Sequence, residues 1–107
     1  MSRIGEVIET LRATIESRRG ADPKVSWSAR LLSDQTLASK KLAEEGLEAA
    51  LAAVKQDKSA LISESADLLY HWLAVLVGAG VGLDDVAKAL EERQGRSGID
   101  EKASRRS

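Results

Sequence analysis

Apolar residues near the N-terminus recur at every third or fourth position, as Ile4, Val7, Ile8, Leu11 and Ile15. This spacing is typical of an amphipathic helix and predicts one over residues 3–19, with Gly20 at its end. The next stretch, residues 20–35, holds the only proline and several turn-forming residues. It is therefore predicted to be a loop.

A second helix is expected after this loop. Thr36 is a suitable N-cap, and the helical pattern that follows it reaches Lys55. The polar residues 56–59 then interrupt the pattern, which predicts a short turn between two helices.

The third predicted helix covers residues 60–77 and would end in a glycine-containing segment with Gly78, Gly80 and Gly82. Asp84 or Asp85 would cap a short fourth helix that ends near Gln94. The chain then closes with a polar tail.

The longest apolar run, residues 68–83, falls largely in the third helix. It is shorter than the ~18–20 residues that a membrane span needs, and it contains His71. The N-terminal segment is charged throughout and lacks the apolar core of a signal peptide. We therefore expect a buried helix, no membrane partner and a cytoplasmic location.

Composition supports one all-α domain over residues 1–107. The chain is rich in alanine and leucine, only 3% aromatic and free of cysteine, so disulfides and cysteine-bound zinc are excluded. The net charge of -1 disfavours a general nucleic-acid binder. The expected architecture is an antiparallel bundle of about four helices with a polar C-terminal tail.

Acidic residues occupy matching positions on the second and third helices. Glu45 and Glu48 are three residues apart, as are Glu64 and Asp67, so each pair shares a helix face. The midpoint between Glu48 and Glu64 is Gln56, and so is the midpoint between Glu45 and Asp67. Gln56 lies in the predicted turn. A hairpin folded there would bring the four carboxylates into one layer.

Two interpretations of these carboxylates follow from the residues alone. Oxygen ligands at this density suit hard divalent cations such as Mg²⁺ or Mn²⁺. Alternatively, the acidic face is solvated and paired with lysines, since Lys40 and Lys41 each lie four residues before a glutamate, Glu44 and Glu45. The burial expected for the third helix favours the metal interpretation, because clustered anions there need a cation or a proton.

The segments KKLAEEGLE (40–48) and ESADLLYHWL (64–73) resemble the phosphoribosyl-ATP pyrophosphatase family of histidine biosynthesis. SGIDEKASR (97–105) is similar to the ending of that family, and ADPKVSWSARLL (21–32) to one of its loops. Trp27 stands where the family usually has tyrosine, and Gly46 where it usually has alanine. The acidic pattern alone marks the wider superfamily of all-α nucleoside triphosphate pyrophosphatases.

The resemblance implies Mg²⁺-dependent hydrolysis of phosphoribosyl-ATP to phosphoribosyl-AMP and pyrophosphate. It also implies that the metal ligands are the four carboxylates that the hairpin aligns, Glu45, Glu48, Glu64 and Asp67. Glu44 lies one residue away from that face and would either orient the attacking water or pair with Lys40. His71, four residues after Asp67, is expected to act behind the ligands or to be a satisfied core histidine.

Basic residues are candidates for substrate phosphates. The tail, residues 93–107, has five basic and two acidic residues, whereas residues 44–67 have six acidic and two basic ones. The tail candidates for the phosphoribosyl phosphate are Ser97, Gly98, Lys102 and Arg105. Further candidates are Lys40, Lys41 and Arg18, with Arg19 and Arg30 as alternatives.

Two other functions fit the same pattern: a house-cleaning (d)NTP pyrophosphatase, and a non-catalytic helical dimerisation module. A homodimer is expected whichever of these functions the chain has. The third helix is apolar on nearly every side, and a chain this short cannot cover it alone. The expected dimer face includes Leu73 and Leu76.

Overall fold

The computed structural model describes residues 2–94. Over that range the chain forms five helices and no strand: α1 (Arg3–Ser17), α2 (Trp27–Ser33), α3 (Gln35–Val54), α4 (Lys58–Ala79) and α5 (Leu83–Arg93). The predicted all-α class is confirmed, and the helix count exceeds the predicted number by one. Most of the predicted tail lies outside the described residues.

The additional helix, α2, lies within the stretch predicted to be a loop. Ser26 begins it, since its side chain accepts a hydrogen bond from the backbone N–H of Ala29 at 3.1 Å. Ala29 and Leu31 are buried, and α2 packs against both α3 and α4. Seven residues span about two turns, which is too short to show a helical period in the sequence.

Helices α3 and α4 form the predicted antiparallel hairpin. Gln56 has a left-handed backbone with φ of 58°, and the N–H groups of Gln56 and Asp57 donate to the carbonyls of Ala53 and Ala52. This paired capping arrangement ends α3 in a Schellman motif. The Asp57 carboxylate then caps α4 by accepting from the N–H of Ala60.

The N-cap of α3 is Asp34 and not Thr36 as predicted. The Asp34 carboxylate accepts from the N–H of Leu37 at 3.0 Å, so the helix begins at Gln35. Aspartate is the stronger cap of the two, because its charge also complements the helix dipole.

Helix α4 is the centre of the molecule. Its Leu73 and Val77 are buried against Ile15 of α1, while its Ala74 packs with Leu31 and Ala38 of α2 and α3. By length and composition alone α4 could cross a membrane. Because α1, α2 and α3 all pack against it, we interpret it as the core helix that its sequence predicts.

The glycine-containing segment ends α4 later than predicted. Gly78 is still helical, and Gly80, with φ of 73°, is the residue at which the helix stops. The N-cap of α5 is Gly82, so neither Asp84 nor Asp85 takes that position. Asp85 supports the cap instead, since its carboxylate accepts from the N–H of Gly82 at 3.0 Å.

Candidate active site

Three of the four predicted ligand carboxylates converge between α3 and α4. One oxygen each of Glu45, Glu48 and Glu64 lies within 4.8 Å of the others. Glu45 and Glu48 share a face of α3, and the hairpin brings Glu64 of α4 opposite them. We call these three residues the acidic cluster.

Small side chains allow α3 and α4 to approach each other at the acidic cluster. Ala49 and Ala52, on the same side of α3, are 7% and 6% exposed. Gly46 faces Leu68 of α4, where an added Cβ would lie 3.7 Å from the leucine side chain. The carboxylates are therefore held on two rigid helices and not on loops.

Two carboxylate oxygens of the acidic cluster are buried without a hydrogen-bond partner among the described residues. These are Oε2 of Glu45 and Oε2 of Glu64. A buried anionic oxygen is costly unless a donor or a cation satisfies it. Both atoms therefore fit the position of a metal ligand.

The proximity of the carboxylates perturbs the titration of Glu64. Its pKa is raised from the ordinary value of 4.5 to about 7, first by its hydrogen bond with Glu48, then by burial and by the charges of Glu48 and Glu45. Like charges at this separation disfavour simultaneous ionisation. A bound cation would reverse that preference, because it favours the ionised form.

Asp67 lies outside the acidic cluster. Its side chain is exposed, and the group of converging ligand atoms does not include it. Three of the four predicted carboxylates thus converge, and the assignment of Asp67 as a metal ligand stays a prediction.

Lys41 connects Glu44 to the acidic cluster. Its Nζ lies 3.1 Å from a carboxylate oxygen of Glu44 and 4.0 Å from one of Glu45. The hydrogen bond and charge of Glu44 raise the pKa of Lys41, with smaller contributions from Glu45 and Glu48. Glu44 therefore pairs with Lys41 and not with Lys40, which is exposed.

His71 is buried and uses both ring nitrogens. Nδ1 lies 2.7 Å from the backbone carbonyl oxygen of Asp67, and Nε2 accepts from the indole N–H of Trp27 at 3.3 Å. His71 therefore contacts Asp67 through the backbone, with no nitrogen left for a carboxylate. The contact with Trp27 was not predicted, because α2 has no periodic signal and its partner on α4 is 44 residues away.

The remaining phosphate candidates are less well placed or lie outside the described residues. Arg18 is exposed at the end of α1. Arg19 is engaged in the fold, since its Nη2 donates to the carbonyl of Val77 at 2.8 Å. The tail candidates outside the described residues are Ser97, Gly98, Lys102 and Arg105.

A cleft of about 240 Å³ opens beside the acidic cluster. Glu48 and Glu64 line it, together with Lys55 and Asp57 from the turn between α3 and α4. Three larger grooves lie along α1 and contain no residue of the cluster. The 240 Å³ cleft gives solvent access to Glu48 and Glu64 of the cluster.

Carboxylates that converge between two antiparallel helices of an all-helical chain are typical of the all-α nucleotide pyrophosphatases. Residues 8–94 match the family model described as phosphoribosyl-ATP pyrophosphohydrolase. The chain belongs to this family.

Relatives named phosphoribosyl-ATP pyrophosphatase support the assignment over almost the full length. The protein of Caulobacter vibrioides (strain NA1000 / CB15N) is 58% identical over 103 residues, covering 96% of each chain. That of Ruegeria pomeroyi is 50% identical over 100 residues, covering 92% of this chain and 95% of the relative. That of Paracoccus denitrificans is 49% identical over 100 residues.

Proposed function

We propose that this chain hydrolyses phosphoribosyl-ATP to phosphoribosyl-AMP and pyrophosphate, a reaction of histidine biosynthesis in the cytoplasm. The observation that carries the proposal is the acidic cluster in a chain of this family. Phosphoanhydride hydrolysis needs positive charge on the phosphates and a positioned water, and the cluster is suited to hold that charge.

We further propose that the acidic cluster holds Mg²⁺, with Mn²⁺ as an alternative and Asp67 as an additional ligand. The donor set consists of carboxylate oxygens, and a cation would satisfy the unpartnered oxygens of Glu45 and Glu64. Bound Mg²⁺ would neutralise phosphate charge and lower the pKa of a coordinated water. The helices supply a fixed position for these ligands before substrate arrives.

Residues beside the cluster would handle the substrate and the water. We propose that Glu44, half-buried and paired with Lys41, orients the attacking water. Lys41 holds Glu44 in place and contributes positive charge next to the phosphates. Lys40, Arg18 and the tail residues Ser97, Gly98, Lys102 and Arg105 are proposed to bind the more distant phosphates of the substrate.

We propose a homodimer, supported by apolar surface that the single chain leaves open. An apolar groove of about 410 Å³ runs between α1 and α4, and its rim includes Ile4, Val7 and Ile62, which are 60%, 54% and 73% exposed. Soluble proteins rarely expose such surface without a partner. Leu73 lies in the core of one chain at 0% exposure, so it does not belong to the expected dimer face.

Product analysis tests the proposed reaction. Purified protein with Mg²⁺ is given phosphoribosyl-ATP, and separately ATP or dNTPs, and the products are identified. We expect pyrophosphate and phosphoribosyl-AMP from the first substrate and little turnover of the others. Preferred turnover of dNTPs would support the house-cleaning alternative, and absence of both turnover and metal binding would support the non-catalytic module. Full activity in excess chelator would contradict the metal proposal.

A further inference from the structure

The 240 Å³ cleft beside the acidic cluster contains a lysine. Its acidic lining residues are Glu48, Glu64 and Asp57, and among residues 2–94 the only basic residue that lines it is Lys55. The rest of the lining is apolar and comes from Leu51, Ala52 and Ala60. Lys55 therefore carries the positive charge that this lining offers to a ligand.

The backbone of α3 fixes Lys55 relative to the acidic cluster. Seven residues advance about 700° around a helix, only about 20° short of two full turns, so Glu48 and Lys55 lie on the same side of α3, about 10.5 Å apart along its axis. Lys55 is the C-cap of α3, and its N–H donates to the carbonyl of Leu51 at 3.0 Å. The Schellman motif at Gln56 and Asp57 follows directly. The spacing between Glu48 and Lys55 is thus set by rigid structure.

The charge of Lys55 is not used by the fold. Within the described part of the chain, no carboxylate forms a hydrogen bond or an ion pair with Lys55. Asp57, two residues away, instead caps α4 by accepting from the N–H of Ala60 at 3.0 Å. Lys41, which approaches the cluster from its other side along α3, is already paired with Glu44 at 3.1 Å. The ammonium group of Lys55 is therefore available to an anion that enters the cleft.

We infer that this cleft is the subsite for the pyrophosphate part of the substrate, and that Lys55 binds its terminal phosphate. The inference rests on the proposed function, and it specifies which part of the substrate lies at the turn between α3 and α4. A cation held by Glu48 and Glu64 would contact one end of the phosphate chain, while the ammonium group of Lys55 donates hydrogen bonds to phosphate oxygens at the other end.

The size and lining of the cleft favour a diphosphate over the rest of the substrate. Its 240 Å³ is below the roughly 300–1,000 Å³ of pockets that enclose drug-sized ligands, so the whole of phosphoribosyl-ATP would not fit. None of the lining residues named above is aromatic, so a nucleobase would find no stacking surface there. The adenine and phosphoribosyl groups must therefore lie outside this cleft.

Product binding tests the subsite. Calorimetry measures the affinity of the Mg²⁺-loaded protein for magnesium pyrophosphate and, separately, for AMP. Lys55→Met keeps a long unbranched side chain but removes the charge. We expect Lys55→Met to weaken pyrophosphate binding about tenfold and AMP binding less than about twofold, because only pyrophosphate reaches the lysine. The KM for phosphoribosyl-ATP should increase together with the Kd for pyrophosphate.

Three measurements control this experiment. Lys58→Met removes the same charge three residues away, outside the lining of the cleft, and should leave both affinities unchanged. Lys55→Arg keeps a positive charge and should retain most of the pyrophosphate affinity. Electron paramagnetic resonance should show that Lys55→Met binds Mn²⁺ at least as tightly as the wild type, because a nearby positive charge opposes a bound cation.

Several results would overturn the inference. These are unchanged pyrophosphate affinity in Lys55→Met, an equal loss of AMP affinity, an equal loss in Lys58→Met, and weaker Mn²⁺ binding in Lys55→Met. A lower melting temperature of Lys55→Met with unchanged pyrophosphate affinity would show that Lys55 only stabilises the C-terminal end of α3.

The inference and the proposed function fail in different ways. A wild type that hydrolyses phosphoribosyl-ATP, with unchanged pyrophosphate affinity in Lys55→Met, would overturn the subsite alone. A wild type without this activity would overturn the proposed reaction, whereas pyrophosphate binding that depends on Lys55 would still establish the subsite. A wild type that binds no pyrophosphate would overturn the inference whether or not it is active.

Discussion

At the scale of single residues, the acidic cluster stores unfavourable electrostatic energy in the metal-free protein. The closeness of Glu48 raises the pKa of Glu64 to about 7, so Glu64 is partly protonated near neutral pH. Metal binding must therefore displace a proton near neutral pH. The same feature makes the stability of the metal-free protein depend on pH.

The raised pKa of Glu64 predicts that the metal-free protein loses stability as pH rises from about 4.5 to about 7. Over this interval the folded state binds more protons than the unfolded state, so the free energy of unfolding decreases with pH. Glu64→Gln should flatten this dependence of stability on pH, and saturating Mg²⁺ should oppose the loss of stability. Urea unfolding at a series of pH values measures this, with Glu9→Gln on exposed α1 surface as a control. A stability that increases across the interval in the wild type would contradict the prediction.

Glu48→Gln and Asp67→Asn are predicted to differ in stability although both lose activity. Glu48→Gln relieves repulsion within the acidic cluster and should raise the melting temperature of the metal-free protein. Asp67 is exposed outside the cluster, so Asp67→Asn should change that temperature little. Both should reduce turnover at least about tenfold if both carboxylates are ligands. Near-normal turnover of Asp67→Asn would restrict the ligands to the cluster.

At the scale of helices, the sequence predicted the α3–α4 hairpin and its acidic face, but not the convergence in detail. Symmetry about Gln56 paired Glu48 with Glu64 correctly, because both lie on the facing sides of adjacent helices. The same symmetry paired Glu45 with Asp67, whose side chain is exposed and lies outside the cluster. The helix α2 was missed because tertiary contacts from α4, and not a repeated apolar stripe, stabilise it.

Two glycine exchanges are predicted to stabilise the hairpin. Gln56 has φ of 58°, a conformation that glycine adopts without the cost of a side chain, so Gln56→Gly should stabilise by about 1 kcal/mol. Gly46→Ala should stabilise by about 0.5–1 kcal/mol, because the added Cβ meets Leu68 at an ordinary 3.7 Å. Gly78→Ala is the contrasting variant: its Cβ would lie 2.5 Å from Oε1 of Gln35, an exposed side-chain end that must move and give up its hydrogen bond to Val75, so the gain should be smaller. Thermal unfolding measures all three, and a lower melting temperature for Gly46→Ala would contradict the packing.

At the scale of the whole molecule, the distribution of apolar surface separates the core from the proposed dimer contact. The core side of α4 is complete within one chain, with Leu73 and Val77 at 0% and 1% exposure. Another side of the same helix, near Ile62, remains open beside α1. This division explains why an apolar pattern on all sides of a helix predicts burial without specifying which side a second chain would cover.

The dimer proposal predicts that Ile62→Asp dissociates the protein while leaving each chain folded. Ile62 is 73% exposed in one chain, so the substitution leaves the core intact, whereas Leu73→Asp should unfold it. Burial of such a side chain contributes about 1.5–3 kcal/mol, and a two-fold contact loses it twice. Val25→Asp, at an 84% exposed position before α2, should remain dimeric. Circular dichroism measures whether each chain is folded, and sedimentation at micromolar concentration measures the oligomeric state. An active wild-type monomer, or a dimer that persists in Ile62→Asp, would refute this contact.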